Sequence, residues 1–219
     1  MKTRITNHPK TSAFSLLELL VVITIIGIIG AFAVPAVGNL LKGSAMAQAA
    51  NLISDQTASA RQYALTRNRT VEVRFYTFVD PEQPGDTTQY RALQFLEIGD
   101  SGIANPVGKF TSLPNTVVMN PNAALSSVLN VSAATTPGAN DPDLPRGVNR
   151  NYKYVSFRFL PDGSTNLSAT GGTANGKWFV TAHLLSDLPR AAGSTPPPNF
   201  FTWMIDPVSG AMKILRPGV

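Results

Sequence analysis

The sequence predicts an α+β protein: a long hydrophobic N-terminal helix packed on an antiparallel β-sheet or sandwich head. Three observations predict it. Between Glu18 and Lys42 lie 23 residues without a charge. The stretch that follows, to about Asn68, brings apolar residues back at spacings of three and four, the period of a helix with one buried face. Beyond Asn68 the chain alternates apolar and polar residues between turn signals, so a helix is followed only by strands. That order favours an antiparallel sheet covered by the helix.

The first helix comes with asymmetric charge. Lys2, Arg4 and Lys10 precede the uncharged run and only Lys42 follows closely, which places the N-terminus in the cytoplasm and the rest outside. A helix of that length rises about 35 Å and the bilayer core is about 30 Å thick, so the run can span it. A secretory signal is one reading, with Ala31-Phe32-Ala33 as its cleavage site, but the apolar run continues on both sides of Ala33. A plain anchor is another. Neither accounts for Glu18, because a carboxylate inside a membrane costs about 2.5 kcal/mol or more unless it finds a partner. The third reading supplies one. Cutting the chain between Ala13 and Phe14 creates an α-amino group four residues before Glu18, and among parallel helices that amine can pair with a neighbour's carboxylate and fix the axial offset. Gly27, Gly30 and Gly38 each weaken the helix by about 1 kcal/mol relative to Ala, and Pro35 removes one hydrogen bond and kinks it. Gly27 and Ala31 form a small-xxx-small pair that admits a second helix.

The amphipathic continuation places Met46, Ala49, Ala50, Ile53, Ala60 and Ala64 on one face. Strands are expected at TVEVRFYTFV from Thr70, YRALQFLEI from Tyr90, YVSFRFL from Tyr154, KWFVTAHLL from Lys177, FFTWMID from Phe200 and AMKILR from Ala211. Turn chemistry separates them at Asp80-Pro81, Pro84-Gly85-Asp86, Pro161-Asp162-Gly163 and Asp206 to Gly210. Ser132–Asn151 and Leu188–Asn199 read as surface loops. The resulting division is a leader at 1–13, a transmembrane and assembly helix at 14–41, its amphipathic continuation at 42–68 and a β-rich head at 69–219.

Lys10-Thr11-Ser12-Ala13, then Phe14-Ser15-Leu16-Leu17-Glu18 and the apolar run to Pro35, resembles the class III signal of type IV pilins and type II secretion pseudopilins. The resemblance implies a pilin-like fold and a structural role. It also implies cleavage between Ala13 and Phe14 by a prepilin peptidase, N-methylation of Phe14, assembly guided by Glu18 and a helix kink at Pro35. Ala13 departs from the glycine usual before the cut. The implied partners are the peptidase, other pilin or pseudopilin subunits met through the N-terminal helix, and the inner-membrane assembly platform. The implied location is the bacterial inner membrane, crossed once with the head periplasmic, and then a periplasmic or extracellular fibre. FRFLPDGST and the closing FFTWMIDPVSGAMKILRPGV are similar to the second half of minor pseudopilins, and the stretch from Ala60-Arg61-Gln62 to Arg74-Phe75-Tyr76 is similar to protein D of the pilin-like Verru_Chthon cassette. The alternative is a membrane-anchored or secreted binding protein or enzyme whose head acts alone.

Composition narrows the chemistry of that head. There is no cysteine, which excludes disulfides and thiolate metal sites. From Phe14 onward 15 basic residues face 13 acidic ones, and Arg61, Arg67, Arg69 and Arg74 are the only basic cluster, a weak footprint for nucleic acid. Gly99-Asp100-Ser101-Gly102 copies a protease nucleophile motif, yet the chain holds only His8 and His183 as bases, and a turn is the expected role. Asp80, Glu82 and Asp86, or Asp141 and Asp143, offer oxygens for calcium but read as solvated turn carboxylates. The Asn-x-Ser/Thr triplets at Asn68, Asn130 and Asn166 match chance in a chain of this composition. No catalytic residue, metal site or cofactor is expected.

Overall fold

A computed structural model describes residues 15–83, 85–172, 176–188, 193 and 195–216, and of residues 32–37 and 39 the backbone alone. The leader 1–13 with His8, the cleavage pair Ala13 and Phe14, and the side chain of Pro35 lie outside the described residues. The chain divides into two compact units, 1–41 and 42–219. Helix α1, Leu16–Arg67, contributes to both, and its backbone is helical at Pro35. In the first unit the large apolar side chains are bare, Leu16 at 88% and Leu17 at 75% exposure among them. Among the described residues no helix is long and apolar enough to cross a membrane; the expected span includes the side chains of 32–37 and 39, which are not described.

In the second unit the helical face carries the expected residues: Met46, Ala49, Ala50, Ile53, Ala60 and Ala64 are all buried. Small side chains bring the helix axis close to the sheet, and Thr57, buried with them, satisfies its hydroxyl on the Ile53 carbonyl at 2.7 Å. The helix ends at Asn68, whose φ of 51° is left-handed. The Arg69 amide donates back to the Ala64 carbonyl at 3.2 Å, the long bond of a Schellman motif, in which Asn tolerates the position better than most residues.

All six expected strands form, and three short ones join them. They are β1 Val71–Phe78, β2 Gln89–Ile98, β3 Ala104–Pro106, β4 Thr111–Ser112, β5 Val117–Met119, β6 Lys153–Phe159, β7 Trp178–Leu184, β8 Phe200–Ile205 and β9 Met212–Leu215. Every pairing is antiparallel, and the order is β6-β1-β2-β5-β7-β8-β9 with β3 and β4 paired to β2. The head is therefore one sheet. Three-residue β5 joins its halves, meeting β2 only at Tyr90↔Met119 but β7 over Val117–Met119.

Register decides which side chains meet the helix. Val71, Val73 and Phe75 of β1, Val155, Phe157 and Phe159 of β6, Val180 and Ala182 of β7, and Trp203 of β8 share one buried cluster with α1. Phe157 lies at its centre, 5.2 Å from the Phe159 ring centroid and 6.1 Å from that of Trp203. Opposite Tyr76 and Thr77 the pairing skips Arg91 on β2. This bulge changes the parity of β2, so Tyr90 and Leu93 both reach the helix side.

The outer face departs from expectation. Ser132–Asn151 is not a bare surface loop: it pairs back on the sheet at Thr135↔Tyr154 and buries Leu144 and Val148 against Tyr76, Phe78 and Tyr152. The reason lies in the second half of β1, where Tyr76 and Phe78 face outward and need an apolar cover. The other expected loop, 188–199, is described only in part.

Candidate functional site

Glu18 stands in the first turn of α1 on a helix whose neighbouring side chains are apolar and exposed. Its amide donates to the Ser15 hydroxyl at 3.1 Å, which makes Ser15 the N-cap and Glu18 the third helical residue. The spacing Ser15-x-x-Glu18 is the sequence signature of a capping box, a signal masked by the membrane-like character of the stretch. Capping and the helix dipole favour a carboxylate there by about 0.3–1 kcal/mol, less than the membrane cost of about 2.5 kcal/mol. A role for Glu18 in the cap alone therefore leaves most of the membrane cost without an offset. Nothing within 4 Å would obstruct a side chain at Gly27 or Gly30, so this surface is open to another helix.

Arg61, Arg67, Arg69 and Arg74, the basic cluster of the sequence, do not converge. Arg61 reaches across to two turns, donating to the Gly163 carbonyl at 3.2 Å and the Ser209 carbonyl at 3.0 Å. Arg67 lies over the Tyr63 ring at 5.8 Å, and Arg69 pairs with Asp100. Arg74 is buried on the outer face of the sheet between Glu72 and Asp141, each at 2.5 Å, with its guanidinium 4.1 Å above the Tyr154 ring. Burial alone disfavours that charge, but Glu72 and Asp141 outweigh it and raise the Arg74 pKa above its ordinary value. Arg158, opposite Glu72 in the register, closes the group at 3.1 Å. The charges at 72, 74 and 158 share a parity that marks one face of two strands. Their burial was not readable, because the cover comes from a distant segment.

The turn acids are likewise engaged, and three of them, Asp80, Asp86 and Asp141, are not solvated as expected. The Asp80 and Asp86 side chains are each only 4% exposed, and Arg91, the bulge residue, lies 2.9 Å from Asp86 and 3.9 Å from Asp80. Arg146 joins Asp80 to Glu82. Burial pushes the Asp80 carboxyl up, yet the Glu82 amide, the Gln83 side chain and the two arginines bring it below its usual value. Glu82 and Asp143 are exposed as expected, Asp143 paired to Arg150 at 3.0 Å. Among the described residues no group of acids and histidines is arranged to hold a metal ion.

Gly99-Asp100-Ser101-Gly102 forms the turn after β2, with Gly102 at a φ of 77° and its amide donating to the Gly99 carbonyl at 2.9 Å. Ser101 is exposed, whereas His183 is fully buried in β7. Burial pushes the His183 pKa down, only partly opposed by the Leu184 carbonyl and Asp187. In the neutral ring Nδ1–H donates to Leu184 O at 2.8 Å and Nε2 accepts from the Asn120 amide at 3.1 Å. Both ring nitrogens are thus committed, Nδ1 within β7 and Nε2 to the residue that follows β5.

Residues 9–34 match the Prokaryotic N-terminal methylation motif, the signal of type IV pilins and pseudopilins. The motif supports a pilin-like structural subunit, a substrate of prepilin peptidase with an inner-membrane anchor and pilin-type assembly. No curated protein and no solved structure matches the chain.

Proposed function

We propose that the chain is a minor pseudopilin-like subunit of a type II secretion pseudopilus or a related pilus-like fibre. It is made as a precursor, cut between Ala13 and Phe14 and methylated on Phe14. The helix 14–41 holds it in the inner membrane with the head on the periplasmic side, and Glu18 guides it into the fibre by pairing with the α-amino group of a neighbour. The match of residues 9–34 to the methylation motif carries this reading. Two features of the chain support it. Glu18 sits among exposed apolar side chains with no cationic partner of its own among the described residues, and Arg61, Arg69 and Arg74 are each engaged by groups of the chain itself and form no shared basic surface for nucleic acid.

The test is the N-terminus and intact mass of the protein from its native membrane fraction. A chain beginning at N-methylated Phe14 is the expected result. A start at Met1 or Val34 would overturn the proposal. In the processed protein, Glu18→Ala should leave cleavage intact and reduce recovery in the fibre. Unchanged assembly would remove Glu18 from the mechanism.

A further inference from the structure

The two edges of the sheet are finished differently. On β6 the Tyr154 peptide exchanges both hydrogen bonds with Thr135, at 2.8 and 2.9 Å. Further along, the Arg158 amide donates to Asn166 Oδ1 at 2.7 Å, and its carbonyl accepts from the Asn166 amide at 3.0 Å. Only Ser156 between them is left outward, so this edge is blocked. β9 has no such cover. The Asp206 amide donates to the Ala211 carbonyl at 2.8 Å, and antiparallel alternation then directs the peptides of Lys213 and Leu215 toward β8 and those of Met212 and Ile214 away from it. Among the described residues no strand pairs with that outer side.

The side chains of this edge are also unfinished. Met212 and Ile214 lie beside Ile205 and Trp203 and pack against the helix-side core, but remain half-buried. Lys213 points to the opposite face, next to a cavity of about 340 Å³ bounded by Met204, Asp206, Met212 and Lys213 among others. Lys213 and Arg216 are exposed and have no ion-pair partner among the described residues. Asp206, the nearest acid in sequence, is turned inward on the amides of Val208 and Ser209.

We propose that β9 is a docking edge that accepts an extended, acidic and apolar segment of another protein as an added strand. The outward peptides of Met212 and Ile214 supply the main-chain bonds, as in strand addition generally. Apolar residues of the incoming strand extend the layer ended by Met212 and Ile214, and acidic residues between them face Lys213, with Arg216 adding positive charge just past the strand end. A second copy of this chain is the poorer occupant. An isologous pairing that used both outward peptides would set Met212 opposite Ile214 and Lys213 opposite Lys213, and directly opposed like charges are destabilising. The inference concerns the head alone and does not rest on processing at Phe14.

Hydrogen exchange tests it on the full chain in detergent, with a short peptide alternating valine and glutamate as probe and a valine–lysine peptide as control. The valine–glutamate peptide should slow exchange at Met212 and Ile214 and leave the Ser156 amide unchanged. Lys213→Glu should weaken its binding about three- to tenfold and reverse the preference toward the lysine peptide. Unaltered exchange in β7 would show that the variant still folds. Absent protection at Met212 and Ile214, or protection indifferent to the charge at 213, would overturn the proposal and leave Lys213 as a guard against unwanted pairing. Protection of both amides in a dimer without peptide would overturn it in favour of a second copy.

Discussion

On the helix side of the sheet Val73, Phe75, Phe157 and Trp203 are buried in an uncharged, largely apolar cluster, whereas on the other side Glu72, Arg74 and Tyr76 are buried with charges among them. The first face is closed by a helix adjacent in sequence. The second is closed by residues 132–151, which bring Asp141 to Arg74 and Val148 to Tyr76. The inner face therefore draws its stability from transfer out of water, while the outer face depends on partners being present together.

Four experiments probe that contrast, and in each the stability of the full chain in detergent is read by chemical denaturation. The largest effect is expected from Phe157→Ala, which empties the centre of the helix side and should cost about 3–5 kcal/mol. Next is Arg74→Met, which leaves Asp141 buried without its cation and should cost about 3 kcal/mol. Combined with Asp141→Asn the loss should be clearly less than the sum, since the two act as one unit; strict additivity would show that the ion pair contributes nothing. Leu144→Ala should cost about 2 kcal/mol, at the low end for a core leucine because a loop can collapse around the space. It should also speed exchange at Thr135 while sparing the helix-side strands.

The smallest effect concerns pH. His183 is held neutral in the folded head, with its pKa below the ordinary value, so the unfolded chain binds more protons below about pH 6.5. Stability should therefore be full above that pH and decline as pH falls from it toward the folded value. His183→Gln should flatten this part of the profile. Asp141 adds a second, more acidic decline. Burial raises its carboxyl, but Arg74 and the Gly138 amide hold it below the usual value, so its contribution is present above about pH 4 and lost below it.

Much of the inner face was legible in the sequence. The alanine and isoleucine positions of α1 and the six longer strands follow from periodicity, because each is buried against something close in the chain or uniform in character. β5 was not legible: Val117–Met119 is too short to show alternation, and it exists because Tyr90 and His183 flank it. The outer face was not legible either. Glu72 and Arg74 look like the solvated side of a strand until Asp141 is placed on them, and the pairing of Asp80 and Asp86 depends on a bulge at Arg91 that alternation does not predict. In the first unit the apolar run and Glu18 were conspicuous, and the cap at Ser15 was written in the same residues but hidden by the stronger pattern.

The reach of Arg61 to Ser209, 148 residues away, bears on the order in which the chain is made. Trp203 is fully buried between β7 and β9 and against Phe75 and Phe157. A chain emerging from its N-terminus first leaves the Trp203 side of those phenylalanines uncovered until residues 200–205 arrive, and the turn at Ser209 cannot receive Arg61 before then. Such distant contacts are slow to form and leave apolar surface open to misassembly in the interval. The head is thus completed late in synthesis, and a factor that shields Phe75 and Phe157 would act only in that interval.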